Sequence, residues 1–334
     1  MCPVCTPFPL AGKGWDRGLR NEKVTAYLSL VRWLYLFVLL LFTSFSYTKE
    51  EKPYVVILGI AQDAGYPQIG CYKECCKKVF EKKTSKQLVS CIGIVDPDSD
   101  QKWIIDATPD FPEQLKMLDS YQSGDISGIF LTHAHIGHYT GLMYLGREAL
   151  NAKNIPVYAM PGMFDFIKTN GPWSQLVTLN NIELRKLKAD SIIHLNERIS
   201  VQPLLVPHRD EFSETVGYLI KINSKSILFI PDIDKWNKWE KNILEYVKQC
   251  DYLLLDGTFY KDRELPGRNM AEIPHPFVQE SMDLFDKLGT GEKRKIWFIH
   301  FNHSNPLVRK ESVERKEVRN RGFNVAIQGQ QLKF

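Results

Sequence analysis

The stretch Leu131-Thr132-His133-Ala134-His135-Ile136-Gly137-His138 constrains this chain more than any other. Residues 129–131 read as a short buried strand, and residues 138–150 carry apolar side chains at helical spacing. Three imidazoles therefore fall in the turn between a strand and a helix. His133 and His135, two apart in an extended turn, can converge on one cation, and His138 at the helix start can face a second. Imidazole suits zinc, and catalytic zinc sites take three protein ligands and keep a position for water. Loop histidines without metal are the bland reading. The chain has only 8 histidines, however, and three of them fall within six residues, which favours the metal loop.

Around that turn, short apolar runs alternate with amphipathic stretches. Residues 55–60, 91–95, 103–105, 156–159, 199–206, 216–222, 226–230, 252–255, 296–299 and 325–327 read as strands. Residues 109–118, 234–249, 275–288 and 311–321 read as helices, the first opened by Pro109, which suits a first helical turn. Residues 173–195 are the least regular and read as an insertion lying over a site. Two similar halves, each mixing strands and helices without a Ser/Gly linker, predict one layered α/β domain over 49–334. Hydrophobic residues at 44% and charged residues at 25% allow a sizeable core and exclude a disordered or fibrous chain.

Residues 1–48 read as a targeting segment. A basic stretch precedes the apolar run 33–42, and small residues follow at Ser44 and Ser46, the order of a secretory signal peptide. Read back through Arg32 to Tyr27, the run is long enough for an uncleaved membrane anchor. Export to a periplasmic or extracellular space, or anchoring through this segment alone, is the expectation. Lys13, Arg17, Arg20, Lys23 and Arg32 against Asp16 and Glu22 hold most of the net charge of +4 here. The remainder is nearly neutral, which argues against a nucleic-acid partner.

The histidine turn, after a strand ending in Thr132, resembles the second motif of the metallo-β-lactamase superfamily. The flanking order is similar too. Asp106 ends the strand 103–105 like the first motif, and His208 in Val206-Pro207-His208-Arg209-Asp210 looks like the third. Asp232 stands after 227–231 where the bridging carboxylate belongs, and His300 closes 297–299 like the fifth. The resemblance runs from about residue 54 to the end. It implies a four-layer αββα sandwich, with His133, His135 and His208 on one metal, His138 and His300 on a second, and Asp232 bridging. It also implies a hydrogen bond from a ligand imidazole to the Asp106 carboxylate. Relatives usually carry Asp where this chain has Gly137, so the second site is expected to be weaker or differently selective. Asp210 is the nearest replacement for proton transfer, or else a solvated carboxylate. His275 either faces the substrate or serves a helix cap or packing.

Seven cysteines include Cys2 and Cys5 in the leader, and Cys91 and Cys250, which read as buried thiols. Cys71, Cys75 and Cys76 crowd into six residues after a Gly/Pro-rich loop, a better metal clip than disulfide framework. The loop 59–71 is similar to that of pyrroloquinoline quinone biosynthesis protein B and of the phosphodiesterase of the carbon–phosphorus lyase pathway. The latter resemblance implies a structural zinc on Cys71, Cys75, Cys76 and His303. A Cys71–Cys75 or Cys71–Cys76 disulfide is the other reading.

The function these readings imply is a metal-dependent hydrolase, using a metal-bound hydroxide on a small phosphodiester, ester or lactone. Zinc would fill one or two catalytic positions and one structural position, with manganese or iron as alternatives. The second hypothesis is a metal- or cofactor-handling protein of pyrroloquinoline quinone biosynthesis, an oxygenase or a carrier. The partner is a small molecule, and a homodimer is compatible with either.

Overall fold

The computed structural model describes residues 26–35 and 51–334 of the chain, and among these β-branched and aliphatic runs build fourteen short strands in two sheets. The first sheet holds β1 (Tyr54–Gly59), β2 (Cys91–Asp96), β3 (Gln101–Ile105), β4 (Gly128–Phe130), β5 (Ile155–Ala159) and β6 (Ile182–Lys186). The second holds β7 (Ile193–His194), β8 (Ile199–Leu205), β9 (Val216–Ile222), β10 (Lys225–Ile230), β11 (Tyr252–Asp256), β12 (Ile296–Ile299) and β13 (Asn324–Val325). The last strand, β14 (Gln331–Leu332), returns to the first sheet and pairs with β1, Val55 opposite Leu332. The orders are β14-β1-β2-β3-β4-β5-β6 and β13-β12-β11-β10-β9-β8-β7. Each sheet is antiparallel at one end and parallel at the other, so the two halves share one plan.

β1 shows why the layers stack. Val55 and Ile57 join the cluster that also contains Tyr218, Ile220, Phe229 and Phe298 of the second sheet. Tyr54, Val56 and Leu58 point the other way, into a cluster with Phe111, Leu118, Met163 and Ile167 of covering helices. The period of two puts alternate residues on opposite faces, and both faces are buried. On the second sheet Val278, Met282 and Phe285, in and just after the helix Val278–Leu284, belong to the same cluster as the sheet. The result is the four-layer αββα sandwich.

Three local readings need correction. Residues 173–195 are no insertion: they form the helix Trp173–Thr178, then β6 and β7. β6 escapes the strand pattern because it is an edge strand carrying exposed Glu183 and Lys186, the charges that discourage edge pairing. The helix expected over 138–150 is only Ile136–Tyr139 followed by a 3-10 stretch, Thr140–Leu145. There Gly141 backs onto the 107–108 turn so closely that a Cβ would stand 2.1 Å from the Thr108 carbonyl oxygen. Residues 234–249 are helical only over Trp236–Lys238 and Ile243–Gln249. Trp239 between them is extended, its indole donating to the Leu205 carbonyl at 2.7 Å, and Asn242 caps the second helix through the Leu244 N–H.

Residues 26–35 are helical. Most of the apolar run 33–42, with Cys2 and Cys5, lies outside the described residues. Among the described residues no helix is long and apolar enough to cross a membrane.

Candidate metal centre

Each half of the sandwich ends several strands at one rim, and the polar side chains sit just past those ends. Asp106 follows β3, the histidine turn follows β4, His208 follows β8, and Asp232 follows β10. Asp256 ends β11, and His300 follows β12. Asp106 and His300 both adopt left-handed backbone, φ 71° and 67°. That conformation is costly for a residue with a side chain and is concentrated at functional sites. All of these groups but His135 and His208 are fully or almost fully buried as whole residues; the His208 side chain is wholly buried and that of His135 is partly exposed.

The Nδ1 atoms of His133, His138 and His300 are spoken for, which decides what these three rings can do. Thr132 Oγ1 lies 3.0 Å from both Asp106 carboxylate oxygens, so its hydroxyl proton goes there. It therefore accepts from His133 Nδ1 at 3.0 Å, leaving the His133 Nε2 lone pair inward. His138 Nδ1 donates to Asp106 Oδ2 at 2.7 Å. In the other half, Thr258 Oγ1 donates to Asp256 Oδ1 at 2.7 Å and accepts from His300 Nδ1 at 2.9 Å. Carboxylate and hydroxyl partners of this kind fix the tautomer and aim Nε2 at a metal.

The inward atoms converge. His133, His135, His208 and Asp232 each offer a donor atom within 4.8 Å of the others, as do Asp63, His138 and His300. His133 Nε2 and His135 Nδ1 are 2.9 Å apart. Asp232 lies between the groups: Oδ1 is 3.3 Å from His208 Nε2, and Oδ2 is 3.4 Å from His133 Nε2 and 3.9 Å from both His138 Nε2 and His300 Nε2. Asp63 Oδ1, His138 Nε2, His208 Nε2, Asp232 Oδ1 and His300 Nε2 are buried and make no hydrogen bond. Each orphaned buried polar atom costs about 1–3 kcal/mol, so five facing inward in one place call for a ligand. The imidazole and carboxylate set fits a divalent cation of the zinc class.

Charge states agree with that use. Burial, reinforced by neighbouring imidazoles, holds His133 well below the usual histidine range, and burial lowers His208 and His300. Neutral rings are ready ligands. His138 goes the other way, because Asp106 and Asp63 outweigh burial and raise it. A cation there must displace a proton.

The remaining predicted residues divide. His275 sits against the centre, its Nδ1 2.9 Å from Asp256 Oδ2 and 3.2 Å from Asp232 Oδ1. Burial opposes its charge, but the two carboxylates push its pKa up to about 10. Asp210 is exposed, accepts from Thr215 Oγ1 at 2.9 Å, and belongs to none of the donor groups. Its neighbour Glu211 is the one that reaches His135 Nε2, at 3.1 Å. Cys71, Cys75 and Cys76 converge as free thiols within 4.8 Å, with no disulfide between them. Burial pushes the Cys76 thiol up to about 12. His303 lies outside that group, although its Nδ1 is buried and unpartnered.

Two residues escaped the sequence reading. Asp256 was hidden in the β11 run, yet Asp256-Gly257-Thr258 repeats the pattern of Asp106-Ala107-Thr108 at the matching rim. Asp63 lay in the loop after β1 with nothing to connect it to the histidines. The signal was the glycine at 137: a Cβ there would stand 2.2 Å from Asp63 Oδ1.

Residues 102–301 match the family model of the beta-lactamase superfamily domain. Coenzyme PQQ synthesis protein B of Acinetobacter baylyi is 26% identical over 307 residues, covering 82% of this chain and 98% of the relative. The protein of that name from Methylobacillus flagellatus is 26% identical over 318 residues, 84% of this chain and 99% of the relative. Among solved structures, zinc-bound PqqB from Methylobacterium extorquens aligns with a TM-score of 0.72 at 23% identity, over 84% of this chain and 100% of that one. A diphosphatase of the PhnP family aligns at 0.58 and 22% identity, over 85% and 98%. Those structures share the two-sheet fold. Matched over most of its length, with its donors gathered on one rim of the sandwich, this chain belongs to the beta-lactamase superfamily and has the metallo-β-lactamase fold.

Proposed function

We propose that the chain is a metal-dependent hydrolase of small phosphodiester, ester or lactone substrates. The observation that carries this reading is Asp232, one carboxylate oxygen facing His208 and the other facing His133, His138 and His300. His133, His135, His208 and Asp232 would hold one zinc, and His138, His300 and Asp232 would contribute to a second. Bound there, such ions lower the pKa of water and polarise the scissile group.

The chain's own residues supply the rest. Thr132, Asp106 and Thr258 hold protons on the outer nitrogens of His133, His138 and His300, which keeps those three rings from turning. His275, kept cationic by Asp256 and Asp232, offers positive charge beside the site for a leaving oxygen. Glu211 holds His135 from the solvent side.

The test is hydrolysis of phosphodiester, ester and lactone panels by purified protein loaded with zinc or manganese. Activity abolished in His133→Ala supports the reading. Metal-loaded protein that cleaves nothing across the panels overturns it.

The second reading is a role like that of the relatives named coenzyme PQQ synthesis protein B, handling a quinone cofactor or its precursor. It is favoured by alignment along nearly their whole length. Bound iron, with quinone binding and no hydrolysis, would select it.

A further inference from the structure

We infer that Asp63, delivered by the loop after β1, is the carboxylate ligand of the second cation, in the space that a side chain at position 137 would otherwise fill. The inference rests on the metal-dependent reading above and adds a ligand that the histidine-turn pattern lacks.

Three observations carry it. First, Asp63 Oδ1, His138 Nε2 and His300 Nε2 lie within 4.8 Å of one another, and all three are buried without a hydrogen bond. Asp63 approaches His138 Nε2 at 3.3 Å, but an ion pair with that ring alone would leave His300 Nε2 facing nothing. A shared cation satisfies all three atoms.

Second, positions 63 and 137 exclude each other. A Cβ at Gly137 would stand 2.2 Å from Asp63 Oδ1 and 2.6 Å from Asp63 Cα. The second distance is to backbone, so rotating the Asp63 side chain away does not relieve it. A carboxylate enters this site from the first loop or from the histidine turn, and not from both.

Third, the loop is fastened where the ligand is needed. Gln62 N–H donates to the Phe301 carbonyl at 2.8 Å, and Phe301 N–H donates to Ile60 at 2.7 Å. Asn302 Nδ2 donates to Gln62 Oε1 at 2.6 Å. Asp63 is thus tied to the segment that begins with His300. With Asp232 Oδ2 3.9 Å from both His138 and His300 Nε2, the second site keeps two imidazoles and two carboxylates. The weakening expected from Gly137 alone is compensated from 74 residues earlier in the chain.

The test is zinc chloride added to metal-free protein, with bound equivalents counted by elemental analysis and affinities read by calorimetry. Asp63→Asn keeps the side-chain shape. It is expected to lose one equivalent relative to the unchanged chain, or to weaken that equivalent by at least about 100-fold. Gly137→Asp, whose Cβ would meet the Asp63 backbone, is expected to lose the same equivalent. Circular dichroism checks that each variant is folded. Asp63→Asn binding the same equivalents with unchanged affinity overturns the inference. An unchanged chain that hydrolyses its substrate with a single zinc also overturns it, and leaves the hydrolase reading standing. An unchanged chain whose histidine centre takes up no zinc removes both.

Discussion

The histidine centre and the thiol cluster both gather potential metal ligands, but they are assembled in opposite ways. The centre draws Asp63, His133, His135, His138, His208, Asp232 and His300 from loops spread over most of the domain. The thiols come from one turn and the start of one short helix, Glu74–Phe80, with Cys71 and Cys75 sulfurs 3.6 Å apart. Neighbouring thiols can meet because the chain is short there, and buried thiols tolerate apolar surroundings as small hydrophobes. Distant imidazoles and carboxylates meet only if the whole fold places them, and burying them without partners is costly. Convergence from afar with unpartnered atoms is therefore the stronger sign of a cation.

The largest expected effect tests the centre. Asp232→Asn or His133→Ala should cut hydrolysis by at least about 1000-fold, because water loses activation that lowers its pKa from 15.7 to about 7. The same variants should leave zinc at the thiols intact. Equal loss of metal from both regions would break the distinction between them.

Next comes Asp256→Asn, which keeps the packing but removes the charge that Thr258 and His275 lean on. Zinc affinity of the centre or turnover should fall about 10- to 100-fold. An unchanged titration would mean that the Thr258 relay does not orient His300.

Gly137→Ala follows. Its methyl must displace Asp63, so one zinc equivalent should be lost, with a stability cost of about 1–3 kcal/mol from overpacking, read by urea denaturation. A stable variant with full zinc content would show that the loop yields freely.

For the thiols, Cys71→Ser with Cys76→Ser should remove one zinc equivalent and lower the melting temperature while hydrolysis changes less than in any variant above. His303→Ala should have the smallest effect, weakening thiol-bound zinc about 10-fold through its buried Nδ1. A large drop in hydrolysis from either would join the two regions into one unit through the 60–76 loop.

Legibility followed the same division. His133, His135 and His138 stand out because one turn carries three of the 8 histidines. Asp106, Asp232 and His300 could be picked out because each directly follows an apolar run. β6 could not be read, since its edge position favours charges over alternation. The helices expected over 138–150 and 234–249 are shorter or broken, since Gly141 packing and the Trp239 anchor overrode local spacing.

By itself the sequence determined most of the strands, the layered α/β class and the histidine donors with Asp232, because hydrophobic period and side-chain chemistry are local properties. Only the tertiary structure decided which donors share a point, and that Asp63 rather than residue 137 supplies a carboxylate there. The reason is steric and long-range: two loops far apart in the chain compete for one volume, and no pattern within either loop records the other.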